Sequence, residues 1–103
     1  METSGKRAAL VAVDLGAQSC RVSLLRWKQG QPQIHVVHRF SNAPIATQAG
    51  LCWDVSRIFD GVTDGLRLCA GAAPEGIASV GVDGWAVDYV RLDGNGDAMA
   101  DPF

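Results

Sequence analysis

The sequence is short of most features that commit a chain to a specialised class. Its three cysteines, Cys20, Cys52 and Cys69, are odd in number and widely spaced, with no Cys-x-x-Cys pair and no matching histidine spacing. That argues against a disulfide framework and a zinc site, and fits reduced thiols in a cytosolic protein. No apolar run approaches the roughly 18 residues a membrane span needs. Residues 1–7 lack the apolar core and cleavage site of a secretory signal and read as a disordered lead into the first strand. Neither sign of charge dominates: nine Lys and Arg against eleven Asp and Glu leave a net charge of −2, which gives no pull toward nucleic acid. Repeats and low-complexity tracts are missing, as are a Walker-A lysine and a G-x-G-x-x-G run. The expectation is a cytoplasmic globular chain with neither nucleic acid nor a membrane as partner.

What is present fits one small domain. A chain of 103 residues buries only roughly two-thirds of the surface its unfolded form exposes. Residues 8–13 form a continuous apolar run ending at Asp14, the pattern of a strand buried on both faces. After a loop over 15–20, residues 21–27 alternate Val22, Leu24 and Arg26 against Ser23, Leu25 and Trp27, which reads as a second strand. A turn over 28–32 returns the chain as a third strand over 34–40. Residues 41–51 read as a loop. Val55, Ile58, Phe59, Val62, Leu66 and Cys69 then recur at helical spacing, with Asp54 placed to cap the start and Gly71 the end. Gly61 and Gly65 inside that helix cost up to about 1 kcal/mol each relative to alanine, so the helix must draw its stability from packing on the sheet. A fourth strand spans 77–82 and ends at Asp83, a fifth spans 87–92, and the turn dipeptides Asp93-Gly94 and Asn95-Gly96 double the tail back. The fold class is α/β: a mixed sheet in the order β-β-β-α-β-β, incomplete at its far edge.

Two segments could carry chemistry. Asp14-Leu15-Gly16-Ala17-Gln18-Ser19-Cys20-Arg21 puts a carboxylate at a strand end, then a glycine, small residues and a cation. Such an aspartate can hold Mg²⁺ through water, Gly16 lets the backbone approach phosphate oxygens, and Ser19 can donate to them. On local chemistry alone a plain glycine turn closing a hairpin is the favoured reading of these residues. Asp83-Gly84-Trp85-Ala86-Val87-Asp88 again follows an apolar strand with a carboxylate. If the two strands are parallel, Asp14 and Asp83 face one crevice, where a sugar would find hydrogen-bonding groups and an aromatic face. A tight hairpin with Trp85 in the core and Asp88 in solvent is the competing reading. His35 and His38, three apart on a strand, fall on opposite faces and make no joint metal site. Trp53-Asp54 reads as a packed indole beside a capping carboxylate.

Taken in order, Val11-Ala12-Val13-Asp14-Leu15-Gly16-Ala17 through Arg21, His38-Arg39-Phe40 with Asn42, Trp53-Asp54-Val55, and Gly81 through Asp88 resemble the start of the rhamnulokinase family, a branch of the FGGY carbohydrate kinases. The glycine loop alone points only to the wider actin-like (ribonuclease H-like) ATPase superfamily. The Trp-Asp-Val and Asp-x-Trp-x-Val-Asp segments narrow the resemblance to this branch. It covers residues 8–103 as part of an N-terminal domain, in a family whose members are several times longer. The resemblance implies transfer of the γ-phosphoryl group of ATP to the C1 hydroxyl of L-rhamnulose with Mg²⁺ assisting. By it, Gly16, Ala17, Gln18, Ser19, Cys20 and Arg21 fall on the ATP loop and Asp14 on the metal-associated aspartate. Asp83, Gly84, Trp85 and Ala86 fall on the sugar-contacting hairpin. The catalytic aspartate lies downstream in a missing second domain, so residues 1–103 alone are expected to be inactive.

Three positions depart from the family pattern. Cys20 and Ala86 stand where glycine is usual, and Gly84 where threonine is common; an added side chain narrows the backbone and fills space near phosphate or sugar. The same fold serves kinases of L-fuculose, D-xylulose and glycerol. Outside the enzymes, an actin- or chaperone-like ATP switch shares the Asp14 loop but gives no reason for the segment 83–88, and a truncated, inactive reading frame is the remaining alternative.

Overall fold

The computed structural model describes residues 7–85 and 88–102. Three strands, β1 (Ala9–Leu15), β2 (Ser19–Lys28) and β3 (Gln31–Ser41), form an antiparallel meander. Two three-residue strands, β4 (Ile45–Thr47) and β5 (Gly50–Cys52), make a separate small hairpin. Helix α1 (Val55–Ala72) then carries the chain across to β6 (Ile77–Asp83), which lies parallel to β1. The sheet order is β3-β2-β1-β6, a mixed sheet with a helical crossover between its two parallel strands.

The meander turns tightly at Gln29 and Gly30, both with positive φ, which matches the strand twist and lets β2 and β3 pair closer to the turn than the sequence pattern suggests. The segment 41–51, expected as a loop, contains the β4–β5 hairpin. Beyond β6, residues 86 and 87 lie outside the described residues, and 88–91 form no strand. The tail does double back, through an isolated bridge between Leu92 and Ala98 around a turn in which Asp93 accepts from the amides of Asn95 and Asp97. Of residues 1–7, only Arg7 is described, and it is in no regular element.

One face of the sheet meets α1. Ala9, Val11 and Val13 of β1 and Val22 and Leu24 of β2 are buried there with Cys69 and Ala73. Asp54 caps the helix as expected, accepting from the Arg57 amide at 3.2 Å. The far end differs: the helix runs through Gly71 to Ala72, and Arg26 closes it by donating to the Ala72 carbonyl at 2.7 Å while pairing with Glu75 at 2.5 Å. A cation at the last carbonyls does the work expected of a glycine. The buried helical seam is Ile58, Gly65 and Cys69, whereas Val55 and Phe59 of the expected stripe are exposed. The reason is the two glycines: a Cβ at Gly61 would meet the Phe40 ring at 2.6 Å, and one at Gly65 would meet Val22 at 2.5 Å. The helix turns its glycine side toward the sheet to come this close. Among the described residues no helix is long and apolar enough to cross a membrane.

Candidate functional site

The parallel pairing of β1 and β6 sets Asp14 directly opposite Asp83 at the strand ends. Both carboxylates are exposed. Asp83 is hydrogen-bonded to Asp14, and that bond together with the neighbouring negative charge pushes the Asp83 carboxyl above its ordinary value. The row continues across the sheet: Asp14 is in register with Arg21 of β2, and Arg21 with Arg39 of β3. In-register residues share a face, so two carboxylates and two guanidiniums line one edge of the face that α1 leaves open.

Between β1 and β2 the loop is only three residues, 16–18, shorter than the sequence pattern suggests. The Gly16 amide donates to the Ser19 carbonyl at 3.0 Å, and a Cβ at Gly16 would run into that carbonyl oxygen, so the turn needs glycine. Ala17 and Gln18 are exposed at its tip. Cys20 and Arg21 belong to β2, and their side chains take opposite directions. Cys20 is fully buried on the helix side, where burial raises its thiol pKa. A side chain at this position therefore fills core space and leaves the loop clear.

Asn42, just past β3, ties this loop down. Its side-chain amide donates to the Gly16 carbonyl at 2.9 Å and its backbone amide to the Gln18 carbonyl, also at 2.9 Å. The residue is only 5% exposed. Sequence reasoning placed Asn42 among the family-like positions without giving it a role.

The second segment is organised around Trp53. Its ring stacks on Trp85, centroids 4.5 Å apart and 8° from parallel, and its indole nitrogen donates to Asp88 at 2.9 Å. Asp88 is thus engaged, and Trp53 joins the start of α1 to the segment after β6. The Trp85 indole N–H is buried with no partner among the described residues. A Cβ at Gly84 would come within 3.3 Å of Leu15, so this glycine lets the chain after β6 close on β1. Ala86 lies outside the described residues. What could have signalled Trp53 is its spacing: one residue before the helix cap, it stands at the helix end nearest the strand termini.

A bulge between β2 and β3 overturns one expectation. His38 pairs with Val22 and His35 with Leu24, so the extra residue at Val37 brings both histidines to the helix side instead of opposite faces. They still make no metal centre: among the described residues no group of three or more His, Cys, Asp or Glu side chains is placed to hold a metal ion.

No protein-family model matches the chain. Curated rhamnulokinases do. That of Oceanobacillus iheyensis is 38% identical over 91 residues, 88% of this chain and 19% of the relative. Those of Mannheimia succiniciproducens and Bacteroides thetaiotaomicron are 34% and 37% identical over 91% and 89% of this chain. The chain spans about a fifth of the length of these relatives. By sequence, about nine-tenths of its length is similar to a fifth of the length of these rhamnulokinases.

Proposed function

We propose that the chain forms the nucleotide loop and part of the sugar site of a cytoplasmic, ATP-dependent ketose kinase of actin-like (ribonuclease H-like) fold. The phosphoryl acceptor is the C1 hydroxyl of L-rhamnulose. The observation that carries this reading is the in-register pair Asp14–Asp83 at the ends of parallel strands, beside a turn that only glycine can make. Ligands of open α/β sheets gather beyond the carboxyl ends of strands.

The residues present fit both groups the reading requires. A magnesium ion is commonly held by one or two carboxylates together with substrate phosphates, and Asp14 with Asp83 offers two in register at the strand ends. Gly16, Ala17, Gln18, Ser19 and the backbone of Cys20 form the phosphate loop, with the Arg21 guanidinium in register beside Asp14 to meet negative charge. Bound ATP with Mg²⁺ supplies the phosphoryl group and neutralises charge as it leaves. Toward the sugar, Asp83 accepts from hydroxyls and the Trp85 indole offers an apolar surface, with Gly84 and Ala86 the neighbouring sugar-side positions. This chain's residues thus orient and stabilise. The base that takes the hydroxyl proton is an aspartate of the longer protein, outside this sequence.

The test is ADP release by the full reading frame that carries this chain, supplied in turn with L-rhamnulose, L-fuculose, D-xylulose and glycerol under Mg²⁺-ATP. Preference for L-rhamnulose is the expected result. Turnover of another of these would keep the kinase and move the substrate. ATP binding without any sugar turnover would replace the kinase with an ATP switch.

A further inference from the structure

We infer that Asn42 is a positioning residue for nucleotide: it fixes the direction of the phosphate-loop amides although it lies outside the loop. The inference rests on the phosphate-loop reading above and adds a residue to it. Asn42 is buried, yet both of its donors go to carbonyls of the same three-residue loop, Gly16 and Gln18, rather than to the strand it leaves. A trans peptide is planar, with its C=O and the following N–H pointing in opposite directions. Drawing the Gly16 carbonyl toward Asn42 therefore turns the Ala17 N–H away from it, and drawing the Gln18 carbonyl turns the Ser19 N–H away likewise. These two amides, one on either side of Gln18, are thereby aimed away from Asn42, and backbone N–H groups turned to one side are what an anion-binding concavity is built from. Gly16 cannot hold this geometry alone, because glycine permits many backbone conformations at little cost. Its amide bond to Ser19 closes the turn but leaves the following peptide plane to be set from outside.

The device separates two jobs. Gly16 makes the tight turn, and Asn42 removes the backbone freedom that a glycine brings. Losing the side-chain donor leaves the backbone bond from Asn42 to Gln18 in place, so the loop should loosen at the 16–17 peptide without detaching from β3. The consequence falls on nucleotide and spares the sugar, whose side of the site is built from β6 and the segment after it.

The experiment compares wild type, N42A and N42D in the full reading frame. N42D keeps the shape and offers only acceptor oxygens when ionised, so it isolates the donor. ATP KM, sugar KM, kcat at saturating ATP and ADP affinity by calorimetry are measured, together with hydrogen exchange of the peptide covering residues 14–21. Both variants should raise ATP KM and weaken ADP by about 10- to 100-fold, the range expected for an unmet buried hydrogen bond. Sugar KM and kcat should stay within about twofold, and loop exchange should accelerate without nucleotide. Should neither variant accumulate folded, N42S, which shortens the arm and keeps the site polar, provides the same comparison. Unchanged nucleotide affinity beside a binding-competent wild type would overturn this inference alone. A wild type that binds no nucleotide would overturn the phosphate-loop reading and this inference with it. A uniform loss across ATP and sugar would reduce Asn42 to a fold-stabilising residue.

Discussion

Asp83 holds its proton more tightly in the folded chain than its ordinary value near 3.8 allows, because Asp14 hydrogen-bonds it and places a second negative charge beside it. A carboxyl whose pKa is raised by folding favours the folded state at low pH, and that contribution is lost as pH climbs from the ordinary value through the raised one. Asp83→Asn keeps a hydrogen-bonding partner for Asp14 and removes the titration. Its urea midpoint should therefore fall less steeply than wild type's as pH climbs from the ordinary carboxylate value through the raised one. Above that window Asp83 is charged, and millimolar Mg²⁺ should raise the wild-type midpoint more than the variant's. A steeper slope in Asp83→Asn would mean that folding does not raise the Asp83 pKa. Asp14 and Asp83 were legible because each ends an apolar strand. The parallel pairing that joins them was only conditional until the crossover helix fixed it. Asn42 was not legible as a clamp, since a polar residue after a strand does not reveal which carbonyls it will meet 26 positions back.

Helix α1 carries two kinds of glycine, and they make opposite predictions. Gly61 and Gly65 sit against Phe40 and Val22, where an added Cβ would overlap a ring or a β-branched side chain locked in a strand. Alanine gains up to about 1 kcal/mol in helix propensity, but forcing a methyl into a closed contact costs about 1–3 kcal/mol. Gly65→Ala should therefore destabilise, by about 1–2 kcal/mol net, since Val22 is fully buried and has nowhere to move. Gly71 is in the same helix but meets nothing within 4 Å. Gly71→Ala should stabilise by up to about 1 kcal/mol. Chemical denaturation of the two variants checks both signs, and a gain at position 65 would show that helix and sheet can separate without cost. The helix and its cap were legible from spacing and from Asp54. The face it presents was not, because glycine has no hydropathy signal, and the apolar stripe through Val55 and Phe59 outvoted it. The bulge at Val37 and the three-residue strands β4 and β5 escaped for a related reason: each depends on a partner strand and leaves no period of its own.

At the scale of the whole molecule the sheet is covered unevenly. Helix α1 lies over β1, β2 and β3, while Val80 and Val82 of β6 face the helix side and remain 48% and 63% exposed. The radius of gyration is 16.7 Å, against about 13 Å for a compact domain of about 100 residues. Both observations describe a chain whose own residues leave part of its sheet uncovered, in keeping with its span of about a fifth of its relatives. The open apolar strip should bind a reporter dye such as ANS when residues 1–103 are prepared alone, and Val80→Ser with Val82→Ser should remove most of that signal. Function should divide along the same line. On the proposed reading residues 1–103 position nucleotide and sugar while the base for the sugar hydroxyl is supplied by the longer protein, and positioning without a base leaves the proton on the attacking oxygen. Given Mg²⁺-ATP and L-rhamnulose, the isolated segment should therefore release no ADP above the uncatalysed rate. The full reading frame, assayed beside it at equal concentration, should turn over. Sugar-dependent ADP release by residues 1–103 alone would mean that a group already present, with Asp83 the first to mutate, takes the proton.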